Sequence, residues 1–171
     1  MRQGDSGLEL KPQPIQWIWK EFQALTVLEL YELLQLRQQI FILEQTCLYP
    51  DIDGEDFFHH HLLAYSDKKL AGYLRVIPPK YHVKNLVAIG RVVVNSAFRG
   101  QGIARKMMLQ GIDFCHKNYP NFNIHVSAQQ YLEGFYQSLG FKTGSDMYLE
   151  DDIPHVAMEI NTNSQSTHTT K

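Results

Sequence analysis

Two glycines that lie between a β-branched run and an amphipathic segment constrain the fold more than any other feature of the sequence. The β-branched run ends at Val94, Gly100 and Gly102 follow, and the amphipathic pattern begins at once. Glycine has no Cβ, so the backbone there can turn tightly and come close to a ligand. A helix that begins at this loop aims unpaired N–H groups and the positive end of its dipole at the loop, which favours phosphate. The pattern therefore predicts a strand–loop–helix unit that binds a pyrophosphate.

Composition narrows the class of protein. The 171 residues are enough for one domain with a sizeable core, and the formal net charge of -2 gives no electrostatic reason to expect nucleic acid or an anionic membrane. No apolar run reaches the roughly 20 residues that span a bilayer. The two cysteines suit a reducing compartment, so we expect a cytoplasmic protein. We predict a single domain over residues 15–160, with flexible polar tails at residues 1–14, which do not resemble a secretory signal, and 161–171.

Hydrophobic periodicity predicts strands and helices throughout that domain. Thr26 and Glu29 have the spacing of a capping box at a helix start. Residues 44–58 are interpreted as a long loop. Its acidic part, residues 51–56, is interpreted as solvated surface charge, with recognition of a cationic acceptor as the weaker alternative. The predicted strands span about residues 15–20, 61–65, 70–77, 86–95, 123–128, 141–143 and 155–160, and the predicted helices about residues 27–43, 102–117 and 129–139. This order predicts an α/β (α+β) fold in which helices pack on a mixed sheet.

Three kinds of phosphate loop compete for the two-glycine segment. A Walker loop needs Lys-Ser or Lys-Thr after its second glycine, and Ile103-Ala104 stands there instead. A dinucleotide fingerprint needs a third glycine or alanine at a fixed offset and an acidic residue about 20 residues further on. Residues 119–121 offer no acid, so a nucleotide-binding domain is the weaker alternative. The third candidate is the pattern Arg-x-x-Gly-x-Ala, which Arg99, Gly102 and Ala104 meet.

With this third pattern the sequence resembles the GNAT family of N-acetyltransferases. A second match is the aromatic-Tyr-x-x-x-Gly-Phe pattern of the last helix of that family, met by Phe135-Tyr136 and Gly140-Phe141. Residues 37–45, 49–53 and 148–155 are similar to the ElaA-like branch, and together these matches span about residues 16–160. Asp152 stands where that branch is expected to have glycine, so the turn there departs from the pattern of the branch.

The resemblance implies a GNAT fold: a mixed, mostly antiparallel sheet that splays between its fourth and fifth strands and is flanked by helices. It also implies acetyl-CoA as co-substrate and no metal. Tyr136 would protonate the departing sulfur. Main-chain groups would bind the coenzyme, those of the fourth strand along pantetheine and those of the loop at the pyrophosphate: Val92, Val93, Val94, Arg99, Gly100, Gln101, Gly102, Ile103 and Ala104.

The general base that deprotonates the acceptor stays open among six residues: Glu44, Asp53, His61, His125, Glu150 and His155. Glu44 and Glu150 are retained with Tyr136 as catalytic candidates. The run His59-His60-His61 does not indicate a metal site, because adjacent strand residues point to opposite faces. Cys47 has no electropositive neighbour in the sequence and is interpreted as an ordinary thiol.

The predicted reaction is direct transfer of the acetyl group to a primary amine in a ternary complex, where positioning supplies much of the rate gain. The acceptor would be a small-molecule or peptide amine, and its identity is open. The alternative is a non-catalytic acyl-CoA-binding module with the same fold. The resemblance also leaves a homodimer as an alternative to a monomer.

Overall fold

The computed structural model describes residues 14–162, so the predicted tails lie mostly outside the described residues. Twelve helices and strands of the described residues matter for the site. The helices are α1 (Val27–Arg37), a π-helical segment that continues it (Gln38–Glu44), α2 (Ile103–Asn118) and α3 (Glu133–Gln137). The strands are β1 (Gln16–Glu21), β2 (His60–Ser66), β3 (Lys69–Ile77), β4 (Val87–Val94), β5 (Ile124–Gln129), β6 (Lys142–Thr143), β7 (Tyr148–Glu150) and β8 (Ile153–Ile160).

All eight strands form one mixed sheet, which confirms the predicted fold class. The order is β1-β2-β3-β4-β5-β8-β6, and β7 pairs with β8. Every pair is antiparallel except β4 and β5, which run parallel. These two strands pair only at Val87↔Ile124 and Ala88↔His125, near their starts. Beyond these positions the strands splay, so the predicted gap between the fourth and fifth strands is present.

Helices cover both faces of the sheet, because successive strand residues point to opposite sides. On one face Leu63 and Tyr73 pack against Leu33 and Leu36 of α1. On the other face α2 contributes the buried side chains Met107, Met108, Ile112 and Cys115 to a larger cluster. The two faces thus form two hydrophobic clusters with the sheet between them. Among residues 14–162, no helix is both long and apolar enough to cross a lipid bilayer.

The capping box predicted for the first helix is present. The Thr26 side-chain oxygen accepts a hydrogen bond from the Glu29 backbone N–H (3.2 Å), and the Glu29 carboxylate accepts from the Thr26 N–H (2.8 Å). The predicted end of that helix differs, however. Regular α-helix ends at Arg37, and the chain continues as π-helix to Glu44. A π-helix keeps nearly the same side-chain pattern over so few residues, which is why periodicity did not separate the two.

The hairpin of β7 and β8 was not predicted in full. β8 begins at Ile153, and Asp151 and Asp152 form the two-residue turn before it, with φ of 49° and 62°. Both residues of a type I′ turn have positive φ, and Asp is among the few residues other than glycine that tolerate it. β7 itself has three residues, too few for an alternating pattern to be recognised.

The prediction that residues 51–56 are solvated surface charge is wrong for Asp51, Asp53 and Asp56, although Glu55 is exposed. Arg37 and Arg75 are 0% and 4% exposed, and three carboxylates of this loop surround them and Arg91. We call this set the Arg–Asp network; its members are Arg37, Arg75, Arg91, Asp51, Asp53 and Asp56. Three positive and three negative charges balance one another within the network. Buried charges need such pairing, so the acidic loop is a structural element.

Candidate active site in the gap of the sheet

The loop between β4 and α2 has the backbone geometry that its glycines predict. Gly100 and Gly102 have φ of 77° and 71°, in the left-handed region. A Cβ at either position would meet no atom within 4 Å, so backbone conformation rather than crowding favours glycine here. Gly102 is the N-cap of α2, and its carbonyl accepts from the Lys106 N–H (3.1 Å). Because Gly102 has no side chain, it provides no capping acceptor for the other backbone N–H groups of the first turn of α2.

Charged side chains surround this loop. The Arg99 guanidinium lies 2.8 Å from the Glu44 carboxylate, and both side chains are nearly half exposed. Arg105 donates to the Ser138 hydroxyl (2.8 Å) and so connects the start of α2 to the end of α3. Glu44, which was retained as a base candidate, therefore lies beside the loop in an ion pair and not at the cavity described next.

A cavity of about 280 Å³ opens where β4 and β5 splay. Gly90, Arg91 and Val92 of β4 line one wall. The other walls come from the loop after the π-helical segment, β5, α3 and the β7–β8 hairpin, and include Gln45, Tyr49, His125, Tyr136, Glu150 and His155. Among the predicted site residues, Val92, Tyr136 and Glu150 thus line the cavity, while Val93, Val94 and residues 99–104 lie outside its lining. β4 leads from the cavity to the glycine loop.

A β-bulge on β4 shapes the cavity wall. The register of β3 and β4 shifts between Tyr73 and Arg75, and Arg91 has a φ of 53°, which is uncommon for a residue with a long side chain. The Arg91 guanidinium is 2.7 Å from Asp51 and 5.2 Å from the centre of the Tyr49 ring. The Arg–Asp network thus holds the side chain of the residue with the strained backbone.

Tyr136 brings a phenol to the cavity from α3. The side chain is 7% exposed, and its ring makes edge contacts with the rings of Phe135 and Phe141, at centroid distances of 5.2 Å and 5.8 Å. Burial raises the pKa of Tyr136 to about 12, with the neighbouring Tyr131 adding to the shift. The hydroxyl is therefore protonated at neutral pH, as a proton donor must be.

Two of the six base candidates are fully engaged in structural contacts. Burial alone would raise the pKa of Asp53, but hydrogen bonds from Arg75 and its positive charge hold that pKa well below the usual range. His61 is 0% exposed; its Nδ1 meets the Tyr73 hydroxyl (2.7 Å) and its Nε2 the Asp56 carbonyl (2.9 Å). Neither residue lines the cavity.

Three candidates remain at the cavity. The Glu150 carboxylate accepts from the Ser127 hydroxyl (2.6 Å). The Nδ1 of His155 lies 2.8 Å from the Ile153 carbonyl and must donate to it, so Nε2 is its free acceptor when the ring is neutral. His125 is 9% exposed and its Nδ1 has no hydrogen-bond partner among the described residues. Burial, helped by His82, lowers the pKa of His125.

The three consecutive histidines face different surroundings. The Nδ1 of His60 is 2.5 Å from Glu21, and its Nε2 is 2.5 Å from the Tyr119 hydroxyl. His59 is 2% exposed, and burial lowers its pKa to about 4. Within residues 14–162, no three His, Cys, Asp or Glu side chains are grouped so that they could hold a metal ion. Cys47 lines the cavity, and burial raises the pKa of its thiol.

Comparison with known proteins identifies the family. A family model described as an acetyltransferase (GNAT) domain matches residues 36–162. The chain belongs to the GNAT family. A UPF0039 protein of Schizosaccharomyces pombe is 40% identical over 148 residues, which cover 85% of this chain and 97% of that protein. The protein ElaA of Escherichia coli is 37% identical over 146 residues, covering 84% of this chain and 95% of ElaA.

A solved structure agrees with this family. The acyl-CoA N-acyltransferase of Pseudomonas aeruginosa superposes with a TM-score of 0.81 at 40% identity, covering 85% of this chain and 99% of that one. These matches confirm the resemblance to the GNAT family and its ElaA-like branch. The GNAT protein described here is therefore an acyltransferase that uses an acyl-CoA.

Several residues that line the cavity are not among the predicted site residues, including Gln45, Tyr49 and Arg91. One signal for Arg91 was available. It is the only charged residue in the otherwise apolar strand Val87–Val94, and a charge inside such a run indicates a bulge or a functional position. Gln45 and Tyr49 lie in a polar loop, where no periodic pattern could single them out.

Proposed function

We propose that this GNAT protein transfers the acetyl group of acetyl-CoA to a primary amine by direct attack in a ternary complex. The observation that carries the proposal is the gap between β4 and β5, which has a buried phenol at its wall and the glycine loop at the end of β4. Together these features would provide a channel for the coenzyme arm, a proton donor and a phosphate site along one strand.

Main-chain groups would hold the coenzyme. The first-turn N–H groups of α2 and the left-handed backbone of Gly100 and Gly102 suit the pyrophosphate, and Arg99 adds positive charge beside them. The backbone of Val92, Val93 and Val94 is not paired with β5, so it can pair with the pantetheine amides as an added strand would. A backbone N–H there would also stabilise negative charge on the thioester oxygen.

The reaction needs three proton transfers. Glu150 would accept the first proton from the ammonium substrate, directly or through water. The amine nitrogen then attacks the thioester carbonyl carbon, the new C–N bond forms, and the C–S bond breaks with its electron pair on sulfur. Tyr136 would donate its proton to that sulfur, giving free CoA, and the second proton that the nitrogen loses as the amide forms would return to the Tyr136 oxygen, directly or through water. Glu44 is given no part in proton transfer, because its carboxylate is paired with Arg99 outside the cavity.

Tyr136→Phe tests the acid. We expect kcat to fall about 100-fold, within the range for removing a general acid. The KM for acetyl-CoA should change less than about twofold, because the ring contacts stay. The assay is colorimetric detection of released thiol with acetyl-CoA and a panel of primary amines. Tyr31→Phe is the matched control, since Tyr31 is 67% exposed and does not line the cavity. An unchanged kcat in the Tyr136 variant would remove the phenol from the mechanism.

Gly102→Glu tests the pyrophosphate site. The substitution adds a negative charge where phosphate would bind, so calorimetric titration with CoA should show binding weakened more than 100-fold. Gly54→Glu is the control, because Gly54 also has positive φ (79°) and open space but lies in the acidic loop. Equal binding by both variants would mean that the loop is not the phosphate site. Tight binding by the parent protein with no thiol released from any amine would support the non-catalytic acyl-CoA-binding module instead.

A further inference from the structure

We propose that the acceptor is a small cationic amine with no carboxylate near its reacting nitrogen, so that the site selects amines over the corresponding α-amino acids. This inference rests on the proposed function and adds the chemical class of the acceptor. It follows from the charges on the cavity wall, where two carboxylates are not in ion pairs and the guanidinium of Arg91 is paired with aspartates.

The free charges on the wall are negative. The β7–β8 hairpin places Glu150 and Asp151 in the lining, and neither carboxylate takes part in an ion pair within residues 14–162. The Ser127 hydroxyl orients Glu150, and the Tyr148 hydroxyl lies 2.6 Å from the same Ser127 oxygen. The effect of these charges extends across the cavity: after burial, Asp151 and Glu150 are the largest causes of the raised pKa of the Cys47 thiol.

The positive charge on the wall is already neutralised. Arg91 is the single Arg or Lys in the lining within the described residues, and its guanidinium is 2.7 Å from Asp51 and 3.2 Å from Asp53. His82 and His125 also line the cavity, and burial lowers the pKa of each, so both rings are neutral at pH 7. The carboxylate of an amino acid would therefore find no unpaired Arg or Lys in the described lining and would lie near two like charges.

A second observation points to a polar ligand in the same space. His125 is 9% exposed and lines the cavity, yet its Nδ1 is buried with no hydrogen-bond partner in the described chain, and the nearest carboxylate oxygen, on Glu159, is 3.8 Å away. Buried polar groups almost always have a partner, so an unpartnered ring nitrogen at a cavity wall indicates a ligand or water that completes it. When the ring proton of His125 is on Nε2, Nδ1 is an acceptor, and an amine N–H suits it.

The test compares amines with the amino acids that differ from them only by a carboxylate. The pairs are histamine and histidine, tyramine and tyrosine, and cadaverine and lysine, each assayed for thiol release from acetyl-CoA at pH 7.5. We expect kcat/KM to be at least tenfold higher for the amine in every pair that reacts. Equal or faster reaction of the amino acids would overturn the inference while leaving the proposed function intact. No thiol release from any of the six would overturn the proposed function and the inference with it.

Two neighbouring aspartates of the hairpin turn provide matched variants. Asp151→Asn removes a charge that lines the cavity, and we expect the preference for the amine to fall at least threefold. Asp152→Asn makes the same chemical change at the next residue, which also has positive φ but does not line the cavity, and we expect the preference to stay. Asparagine tolerates this backbone conformation, so both variants should fold. Equal effects of the two substitutions, or none from Asp151→Asn, would contradict the role of the wall charge.

Discussion

The Arg–Asp network gives a prediction about stability whose size follows from its geometry. Asp56 is 5% exposed, and its Oδ1 accepts hydrogen bonds from Arg37 and Arg75, both at 2.8 Å. Asp56→Asn keeps the shape of the side chain but removes the negative charge that the buried guanidinium groups of Arg37 and Arg75 share. Removing one partner of a buried ion pair destabilises a protein by about 3–5 kcal/mol. We expect about 3 kcal/mol, at the lower end, because Arg37 keeps Asp51 and Arg75 keeps Asp53.

Urea unfolding followed by circular dichroism measures this loss of free energy of unfolding. A chain of this size should lose roughly 2–4 °C in Tm per kcal/mol, so calorimetry should find Tm lowered by roughly 6–12 °C. Asp113→Asn is the control: the Asp113–Lys117 pair is exposed, and its loss should cost less than about 0.5 kcal/mol. A loss below about 1 kcal/mol for Asp56→Asn, or one equal to that of the control, would refute the reasoning that this network needs every carboxylate.

Three further results are expected. Burial acts to raise the pKa of Asp56, but Arg37 and Arg75 hold that pKa below the usual range. The contribution of the Asp56 carboxylate to the free energy of unfolding is therefore present above about pH 4 and is lost as the pH falls through its folded pKa. The stability difference between the parent protein and Asp56→Asn should shrink in unfolding curves taken below about pH 4. Thr26→Ala removes the side-chain half of the capping box and should lower the free energy of unfolding by about 1 kcal/mol, whereas an unchanged urea midpoint would mean that the cap is not needed. Gly134→Ala in α3 should stabilise the protein by roughly 0.5–1 kcal/mol, because a Cβ there meets nothing within 4 Å. Gly111→Ala should destabilise it by about 1 kcal/mol, because a Cβ there lies 3.1 Å from Ile89. The reverse order of urea midpoints would contradict this interpretation of the packing.

Local sequence patterns were sufficient for the features that depend on local physics. The predicted helix at residues 102–117 matches α2 within one residue at each end, because glycine geometry and amphipathic period define it. The capping box at Thr26 follows from nearest neighbours in the same way. The gap between β4 and β5 was implied by the resemblance to a family. The side chains of Val92, Val93 and Val94 do not indicate which edge of their strand stays unpaired.

Contacts between distant parts of the chain could not be predicted in this way. Arg37, Arg75 and Arg91 meet their carboxylate partners across 14 to 40 residues, and only the folded sheet brings them together. An aspartate in a polar loop looks the same whether it is solvated or buried against an arginine, which is why the acidic loop was misinterpreted. The ion pair of Glu44 with Arg99 across 55 residues is a further case, and it lies outside the cavity, so Glu44 is not at the site where a base was predicted.

The opening in the sheet also bears on how the molecule unfolds. Strands β1 to β4 and strands β5 to β8 are joined across the ladder by two residue pairs, so main-chain hydrogen bonds contribute little to holding these halves of the sheet together, and the hydrophobic cluster beneath α2 spans both halves. A ligand strand along β4 would contact both sides of the gap. Hydrogen exchange at the amides beside the gap should then slow on coenzyme binding more than exchange in the outer strands, and the melting temperature should rise.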